Sequence, residues 1–150
     1  MKKNVIKLTA PNRPEMEITV SEIASAIAKN MNLSDEQVDE IKMAVIETCL
    51  NSFEHSRSED KSVTISFIPE KDGLKIKIKD KGVGFNPSEK SSPDIDKIMS
   101  GEETRHRGWG LKIIRSLMDE VYIESGKNGT TVTLIKKKKD NKNSVKEDKI

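Results

Sequence analysis

The sequence predicts an α/β fold of two layers, in which one mixed, largely antiparallel sheet is covered on one face by helices. Two helical patterns come first, and segments that alternate apolar and polar residues follow them. A third helical pattern then precedes a last pair of alternating segments. Strands joined by hairpins pair antiparallel, and an apolar helix stripe needs a sheet face to cover. The chain of 150 residues is long enough for one such domain.

The first half of the chain predicts one strand and two helices. Residues 5–9 form the strand, and Pro11 and Pro14 separate it from the first helix. The second helix should begin after Ser34, because its hydroxyl can cap the helix together with Gln37. The expected core faces are Val20, Ile23, Ala24, Ile27 and Met31 in the first helix, and Val38, Ile41, Val45, Cys49 and Ser52 in the second.

After the helices, the apolar pattern changes to the two-residue period of strands. Residues 63–67 and 74–79 alternate apolar and polar side chains, and Asp72-Gly73 predicts a hairpin turn between them. Residues 86–106 contain two prolines and no sustained period. Such a segment predicts a long loop of the kind that closes over a ligand.

The last elements are a third helix and a final hairpin. The helix should start at about Trp109, and residues 121–123 and 131–135 should pair across Lys127-Asn128-Gly129. The helix residues expected to face inward are Leu111, Ile114, Leu117 and Met118.

Charge is concentrated at the C-terminal end. Residues 136–150 hold seven Lys against three acids, a net charge of +4, so the rest of the chain carries 20 basic and 22 acidic residues. A body of net charge −2 offers no broad cationic face for nucleic-acid phosphates, which excludes a general nucleic-acid binder. We expect a folded domain over residues 1–135 and a Lys-rich, disordered tail over 136–150, because the tail has too few apolar residues to pack.

The remaining composition excludes membrane and disulfide classes. No apolar stretch approaches the roughly 18 residues needed to span a bilayer, and no signal-peptide core follows Met1. These observations predict a cytoplasmic protein without membrane contact. The single cysteine, Cys49, excludes an internal disulfide and a multi-cysteine zinc site, and we expect it to be a reduced core residue.

Three polar residues of the second helix share the face opposite its core. At about 100° per residue from the centre of the core face, Glu47, Asn51 and His55 fall near 200°, 240° and 280°. A solvated helix face would explain an acid, an amide and a histidine taken alone. Such a face would also carry Lys and Glu beside them, whereas the flanking residues are small or apolar and favour a functional site: Ala44, Thr48 and Leu50.

Two glycine-containing segments follow the strands. Asp80 precedes Gly82 and Gly84 where a strand ends, and glycines let the backbone approach a ligand closely, although an ordinary turn has the same pattern. The string 105–110, Arg-His-Arg-Gly-Trp-Gly, opens the third helix. Free amides and cations at a helix N-terminus suit a phosphate, while a glycine-softened helix start with solvated arginines is the alternative.

Taken in order, these segments resemble the N, G1, G2 and G3 boxes of the GHKL ATPase fold, with Gly129-Thr130-Thr131 as the last box. Within that superfamily, residues 4–135 are similar to the small bacterial anti-sigma factor serine kinases of the RsbW and SpoIIAB type. The resemblance implies a kinase that uses ATP and Mg²⁺. Four boxes in the right order on the predicted elements are specific, although each box alone is weak.

The resemblance also implies a role for each candidate residue. Glu47 would be the general base on a substrate serine, and Asn51 would coordinate the Mg²⁺ that bridges the triphosphate. Asp80 would accept a hydrogen bond from the adenine amino group, with Thr130 at the same edge. Residues 86–107 would form the lid over the nucleotide. Further cofactor-binding residues would be His55, Gly82 and Gly84 around the nucleotide, and Arg105, His106, Arg107, Gly108 and Gly110 at the phosphates. Relatives can place an arginine where this chain has His106, which leaves open which of the three cations reaches the γ-phosphate.

The implied function is that of a serine/threonine protein kinase and anti-sigma factor. It would phosphorylate a serine of a STAS-type anti-sigma factor antagonist and sequester a sigma factor, and relatives often form homodimers. The residues leave two alternative functions open. A binding module that uses ATP without transferring phosphate has no need of Glu47, and a stand-alone histidine-kinase-like ATPase domain would need a phospho-accepting histidine elsewhere.

Overall fold

The structure is a computed structural model that describes residues 4–55, 61–81 and 107–139. These residues form five strands and three helices. In chain order they are β1 (Ile6–Ala10), α1 (Met16–Asn30), α2 (Asp35–His55), β2 (Val63–Glu70), β3 (Gly73–Asp80), α3 (Arg107–Leu117), β4 (Glu120–Gly126) and β5 (Gly129–Lys137).

All the strands pair antiparallel in one sheet with the order β1-β2-β3-β5-β4. The hairpin between β2 and β3 is confirmed, but its turn consists of Lys71 and Asp72, because Gly73 is already the first residue of β3 and pairs with Glu70. The strand β5 lies between β3 and β4, so the chain crosses from β3 to the outer edge through α3 before it returns. The predicted α/β sandwich is therefore confirmed.

The core lies between one sheet face and the helices. Ile65, Phe67, Ile76 and Ile78 are completely buried on the helix side, whereas the alternate residues Lys77 and Lys79 of β3 are exposed on the other side. This arrangement follows from the two-residue period of a strand. The predicted core face of α2 is confirmed, while α1 contributes its smaller residues most deeply: Val20, Ala24 and Ala28.

The start of α2 forms the predicted capping box. The Gln37 amide donates to Ser34 Oγ at 3.1 Å, and the Ser34 amide donates to Gln37 Oε1 at 3.1 Å. Two amide donors at the start of the helix are thus satisfied reciprocally. The cap fixes the residue at which α2 begins.

Several element ends differ from the predicted ones. The strand β1 begins and ends one residue later than expected, and α3 begins at Arg107 rather than at about Trp109. The final hairpin is longer at both ends, because polar residues continue its hydrogen-bonded ladder. In particular, β5 runs to Lys137, so Lys136 belongs to the sheet and not to the tail. Residues 140–150 lie outside the described residues, and the disordered tail stays a prediction.

Among the described helices, none combines the length and the apolar character that crossing a membrane requires.

Candidate functional site

The polar stripe of α2 lies at the border of the core. Glu47, Leu50 and Asn51 are each partly buried, and the neighbouring Thr48 is 1% exposed. The hydroxyl of Thr48 donates to the Ala44 carbonyl within the helix, at 2.7 Å. A face of this kind differs from a freely solvated one, as the small flanking residues predicted. His55 is the last residue of α2.

The first turn of α3 packs directly against that stripe. A Cβ placed on Gly110 would lie 3.1 Å from Asn51 Nδ2 and 3.4 Å from Glu47 Oε2. Contact at 3.1 Å is tight enough that the asparagine would have to shift. The missing side chain at position 110 therefore allows the α3 backbone to approach both polar side chains.

The electrostatics of this contact suit an anion. The first turn of α3 holds no acidic residue, and its free amides carry the positive end of the helix dipole. Arg107 and Gly108 occupy this turn, because the helix begins earlier than the sequence predicted. Arg105 and His106 lie outside the described residues. An anion bound here would meet backbone amides from α3 and polar side chains from α2.

A second cluster forms where β3 and β5 meet. Asp80 and Thr130 are each 2% exposed, and the Thr130 amide donates to Asp80 Oδ1 at 3.2 Å. The Thr130 hydroxyl also lies 2.9 Å from the Ser125 hydroxyl. Since a buried carboxylate is costly unless it accepts hydrogen bonds, the amide both stabilises and orients Asp80. The structure thus brings together the two residues predicted at the adenine edge, while Gly82 and Gly84 lie outside the described residues.

The direction of α2 relates the two clusters. At its N-terminal end, Gln37 Nε2 donates to the Lys137 carbonyl at 2.7 Å, and Glu40 pairs with Lys136. The strand β5 runs from Thr130 to Lys137, so the start of α2 lies at the end of β5 remote from Thr130. Because α2 packs on β3 and β5, its C-terminal half with Glu47 and Asn51 is directed toward the end that holds Asp80 and Thr130.

The donor atoms of α2 suit a hard cation. The amide oxygen of Asn51 and the carboxylate of Glu47 are the kind of oxygen ligand that Mg²⁺ prefers, and Mg²⁺ usually takes its remaining ligands from phosphates and water. Within residues 4–55, 61–81 and 107–139, no group of three or more His, Cys, Asp or Glu could hold a metal ion. The oxygen atoms of Asn51 and Glu47 fit a metal that takes its other ligands from a phosphate.

A cavity beside the stripe was not predicted from the sequence. It has a volume of about 570 Å³ and lies between the segment that precedes α1 and the C-terminal end of α2. Leu50 and Glu54, which lie three and seven residues after Glu47, line it together with Arg13. No local pattern marks this cavity, because its walls come from distant parts of the chain.

Cys49 is part of the core, as predicted. The side chain is completely buried, and the cysteine is free. Burial, with a smaller contribution from the charge of Glu17, raises the pKa of the Cys49 thiol to about 12. A thiol in this state is protonated at neutral pH and is a poor nucleophile.

Comparison with known proteins is consistent with this geometry. A family model described as a histidine kinase-like ATPase domain matches residues 10–136. The serine-protein kinase RsbW of Bacillus subtilis is 30% identical over 148 residues, which cover 91% of this chain and 88% of the relative. The RsbW of Bacillus pumilus is 28% identical over 145 residues, with 89% and 85% covered.

Solved structures share the fold at low sequence identity. A crystal structure of RsbU and RsbW domains from Mycobacterium tuberculosis has a TM-score of 0.65 and 18% identity, and the match covers 89% of this chain and 32% of that one. The SiaB-SiaC complex from Pseudomonas aeruginosa has a TM-score of 0.59 and 10% identity, with 87% and 88% covered. These likenesses show the fold. The family model and the sequence relatives show that the chain belongs to the histidine kinase-like ATPase domain family, in the group of the RsbW serine-protein kinases.

Proposed function

We propose that this protein is an ATP-dependent serine/threonine protein kinase and anti-sigma factor. Its substrate would be a serine of a STAS-type anti-sigma factor antagonist, and its second partner a sigma factor. One observation carries the kinase assignment: Glu47 and Asn51 converge on the Gly110 backbone at the start of α3. A carboxylate, a metal-binding amide and phosphate-binding amides are the groups that phosphoryl transfer to a hydroxyl needs.

In this proposal, the nucleotide binds between the two described clusters. Asp80, oriented by the Thr130 amide, would accept a hydrogen bond from the adenine amino group. The amides around Gly108 and Gly110 would bind the phosphates, and Asn51 would hold Mg²⁺, which neutralises phosphate charge. The roles of His55, Gly82, Gly84, Arg105, His106 and Arg107 at the nucleotide stay predictions.

Glu47 is the proposed general base. Its carboxylate would take the proton of the substrate serine while the serine oxygen attacks the γ-phosphorus and ADP leaves. The carboxylate oxygen Oε2 lies close to the α3 turn at which the phosphates are proposed to bind. A module that only bound ATP would gain nothing from a carboxylate in this place.

Two further observations support a protein substrate. The relatives that match most of the chain are named serine-protein kinases. The cavity lined by Leu50 and Glu54 opens on the side of α2 that also carries Glu47, so it leaves space for a segment of a partner protein. The sigma factor, the antagonist and a possible homodimer rest on the resemblance alone and stay predictions.

Glu47→Gln tests the proposal most directly. The glutamine keeps the reach of the side chain but cannot take a proton, so phosphate transfer to the antagonist should fall by about 10² to 10⁴. Mg-ATP affinity should change little, because Asn51 and the phosphates hold the metal. The assay is transfer of radiolabelled phosphate, and Asp39→Asn, an exposed carboxylate on the same helix, is the matched control.

Asn51→Ala tests whether the protein binds a metal-nucleotide at all, which both the kinase and the binding module require. The variant should weaken the binding of Mg-ATP and abolish both phosphate transfer and nucleotide-dependent capture of the sigma factor.

Phosphate transfer at the unmutated rate in Glu47→Gln would contradict the role of Glu47 as the base. If the unmutated protein transferred no phosphate to any antagonist while still binding Mg-ATP, the module that only binds would be the correct description.

A further inference from the structure

A buried lysine lies at the end of the domain remote from the proposed nucleotide site. Lys136 is 6% exposed, on the inner face of β5. Lysine is almost never buried without a partner, because its charge loses hydration. Its position is therefore explained only by the groups that surround its ammonium.

Those groups belong to two different helices. The Lys136 ammonium lies 3.0 Å from Glu40 Oε1 of α2 and also donates to the Leu117 carbonyl. Leu117 is the last residue of α3, where carbonyls have no partner within the helix and carry the negative end of the dipole. Lys136 thus holds the C-terminal end of α3 against the N-terminal part of α2.

The same two helices form the proposed site at their other ends. Gly110 of α3 packs against Asn51 of α2, so the helices run antiparallel between this contact and the Lys136 contact. Packed helices are rigid elements, and a change in how one is seated at one end shifts its other end. On β5, Lys136 lies about 20 Å from Thr130 by strand length, so it does not touch a nucleotide bound there.

We propose that Lys136 is a positioning residue that seats α3 on α2 and thereby sets the place of the phosphate-binding turn relative to Asn51. The inference rests on the proposed function, since it concerns the same nucleotide site. Neighbouring bonds support the joint: the Lys137 amide donates to Asp119 Oδ2 at 2.6 Å, and the Asp119 amide donates to the Ile135 carbonyl at 3.0 Å. They anchor the segment that follows α3 to the same stretch of β5.

Lys136→Met tests the inference, because methionine fills a similar volume without the charge. At a temperature where the variant is fully folded, its dissociation constant for Mg-ATP should rise about tenfold, since small displacements of binding groups have effects of this size or larger. In the nucleotide-free protein, hydrogen exchange of the first hydrogen-bonded amides of α3, those of residues 111–114, should become faster. Lys136→Arg, which keeps the charge and the donors, should restore most of both properties.

Lys137→Met is the matched control. Lys137 follows in sequence, and its exposed side chain pairs with Glu120 at 3.2 Å. Its dissociation constant for Mg-ATP should stay within about twofold of the unmutated value. A change equal to that of Lys136→Met would show a general effect of charge and overturn the inference.

The remaining outcomes also decide the question. If folded Lys136→Met has a lower melting temperature but unchanged Mg-ATP affinity and unchanged exchange in α3, the lysine is only structural and the inference is overturned. If Lys136→Met does not fold, Glu40→Gln replaces it: a raised dissociation constant supports the inference and an unchanged one overturns it. If the unmutated protein binds no Mg-ATP, the proposed function fails, and the exchange of the amides of residues 111–114 alone decides the role of Lys136.

Discussion

The two ends of β5 accommodate a buried charge in different ways. At the Thr130 end, the carboxylate of Asp80 accepts a hydrogen bond from a neutral backbone amide. At the other end, the ammonium of Lys136 meets a carboxylate and a helix carbonyl. Both side chains are nearly inaccessible to water. Their settings differ in the contacts that fix each charge, which are a backbone amide of the neighbouring strand at Asp80 and groups from two helices at Lys136.

This difference separates a structural role from a binding role. Lys136 contacts two helices at once, so its contacts fix how those helices lie relative to each other. Asp80 lies at the end of β3, where a backbone amide orients its carboxylate, and a carboxylate in such a place suits an acceptor for an N–H group of a ligand. The comparison predicts that changes at the Asp80 end will alter ligand affinity and specificity, whereas changes at the Lys136 end will act through helix position.

Among the changes that test this comparison of buried groups, the largest effect is expected at Asp80. Asp80→Ala removes a charge-assisted acceptor from the proposed adenine edge, which should cost about 1.5 to 3 kcal/mol, or roughly 10- to 150-fold in ATP affinity. Asp80→Asn is the control for folding, because its carbonyl oxygen can still accept from the Thr130 amide. Titration calorimetry measures the affinity of both variants for ATP and for GTP. An unaffected Asp80→Ala variant, or equal affinity for the two nucleotides, would remove the adenine assignment.

Cys49 extends the comparison to a buried group that stays neutral. Its pKa is about 12 in the folded protein, against an ordinary value of 9.0. Below pH 9 the thiol is protonated in both states, but above pH 9 it ionises only when the chain is unfolded. The free energy of unfolding should therefore fall by about 1.4 kcal/mol between neutral pH and pH 10 from this group alone.

The measurement for Cys49 is denaturant unfolding at both pH values, with Cys49→Ala as the reference. The alanine variant loses core packing at every pH, but it should lose less stability between the two pH values. Equal losses in both proteins would mean that the thiol does not contribute to the alkaline instability. Because the two proteins differ only at position 49, the difference between their losses of stability isolates the contribution of that side chain.

The smallest effect is expected at Gly110. A methyl group there would displace the Asn51 amide by a few tenths of an ångström, so we expect Mg-ATP affinity to fall about three- to fivefold. Alanine favours a helix over glycine by about 1 kcal/mol, so the melting temperature should stay equal or rise. Gly126→Ala is the control, because a Cβ there meets nothing within 4 Å. A lower melting temperature with unchanged affinity in Gly110→Ala would contradict the site geometry.

The local patterns predicted most of the fold. The capping box at Ser34 and Gln37 is present with both bonds, and the stripe from Val38 to Ser52 faces the core. The predicted apolar residues of β2 and β3 face the core, and the two strands pair antiparallel as predicted. These features depend on neighbours within a few positions, and their energies are local enough to be read from spacing.

The C-terminal boundary of the domain could not be predicted from local sequence patterns. From Lys136 onward the composition is that of a solvated tail, and it predicts that Lys136 is part of this tail. The side chain is buried because Glu40 lies 96 positions away in the chain but only 3.0 Å away in space. Composition cannot predict such a pairing, because the energy of an ion pair depends on the distance between the charges and on their burial.

The sequence by itself determined the type and order of the elements and marked which polar residues share the exposed face of α2. Only the tertiary structure decided that the α3 turn approaches Glu47 and Asn51, that Thr130 holds Asp80, and that Lys136 joins two helices. The physical reason is the range of the interactions. Helix and strand periods reflect backbone geometry over a few residues, whereas a site forms from side chains that packing brings together from distant parts of the chain.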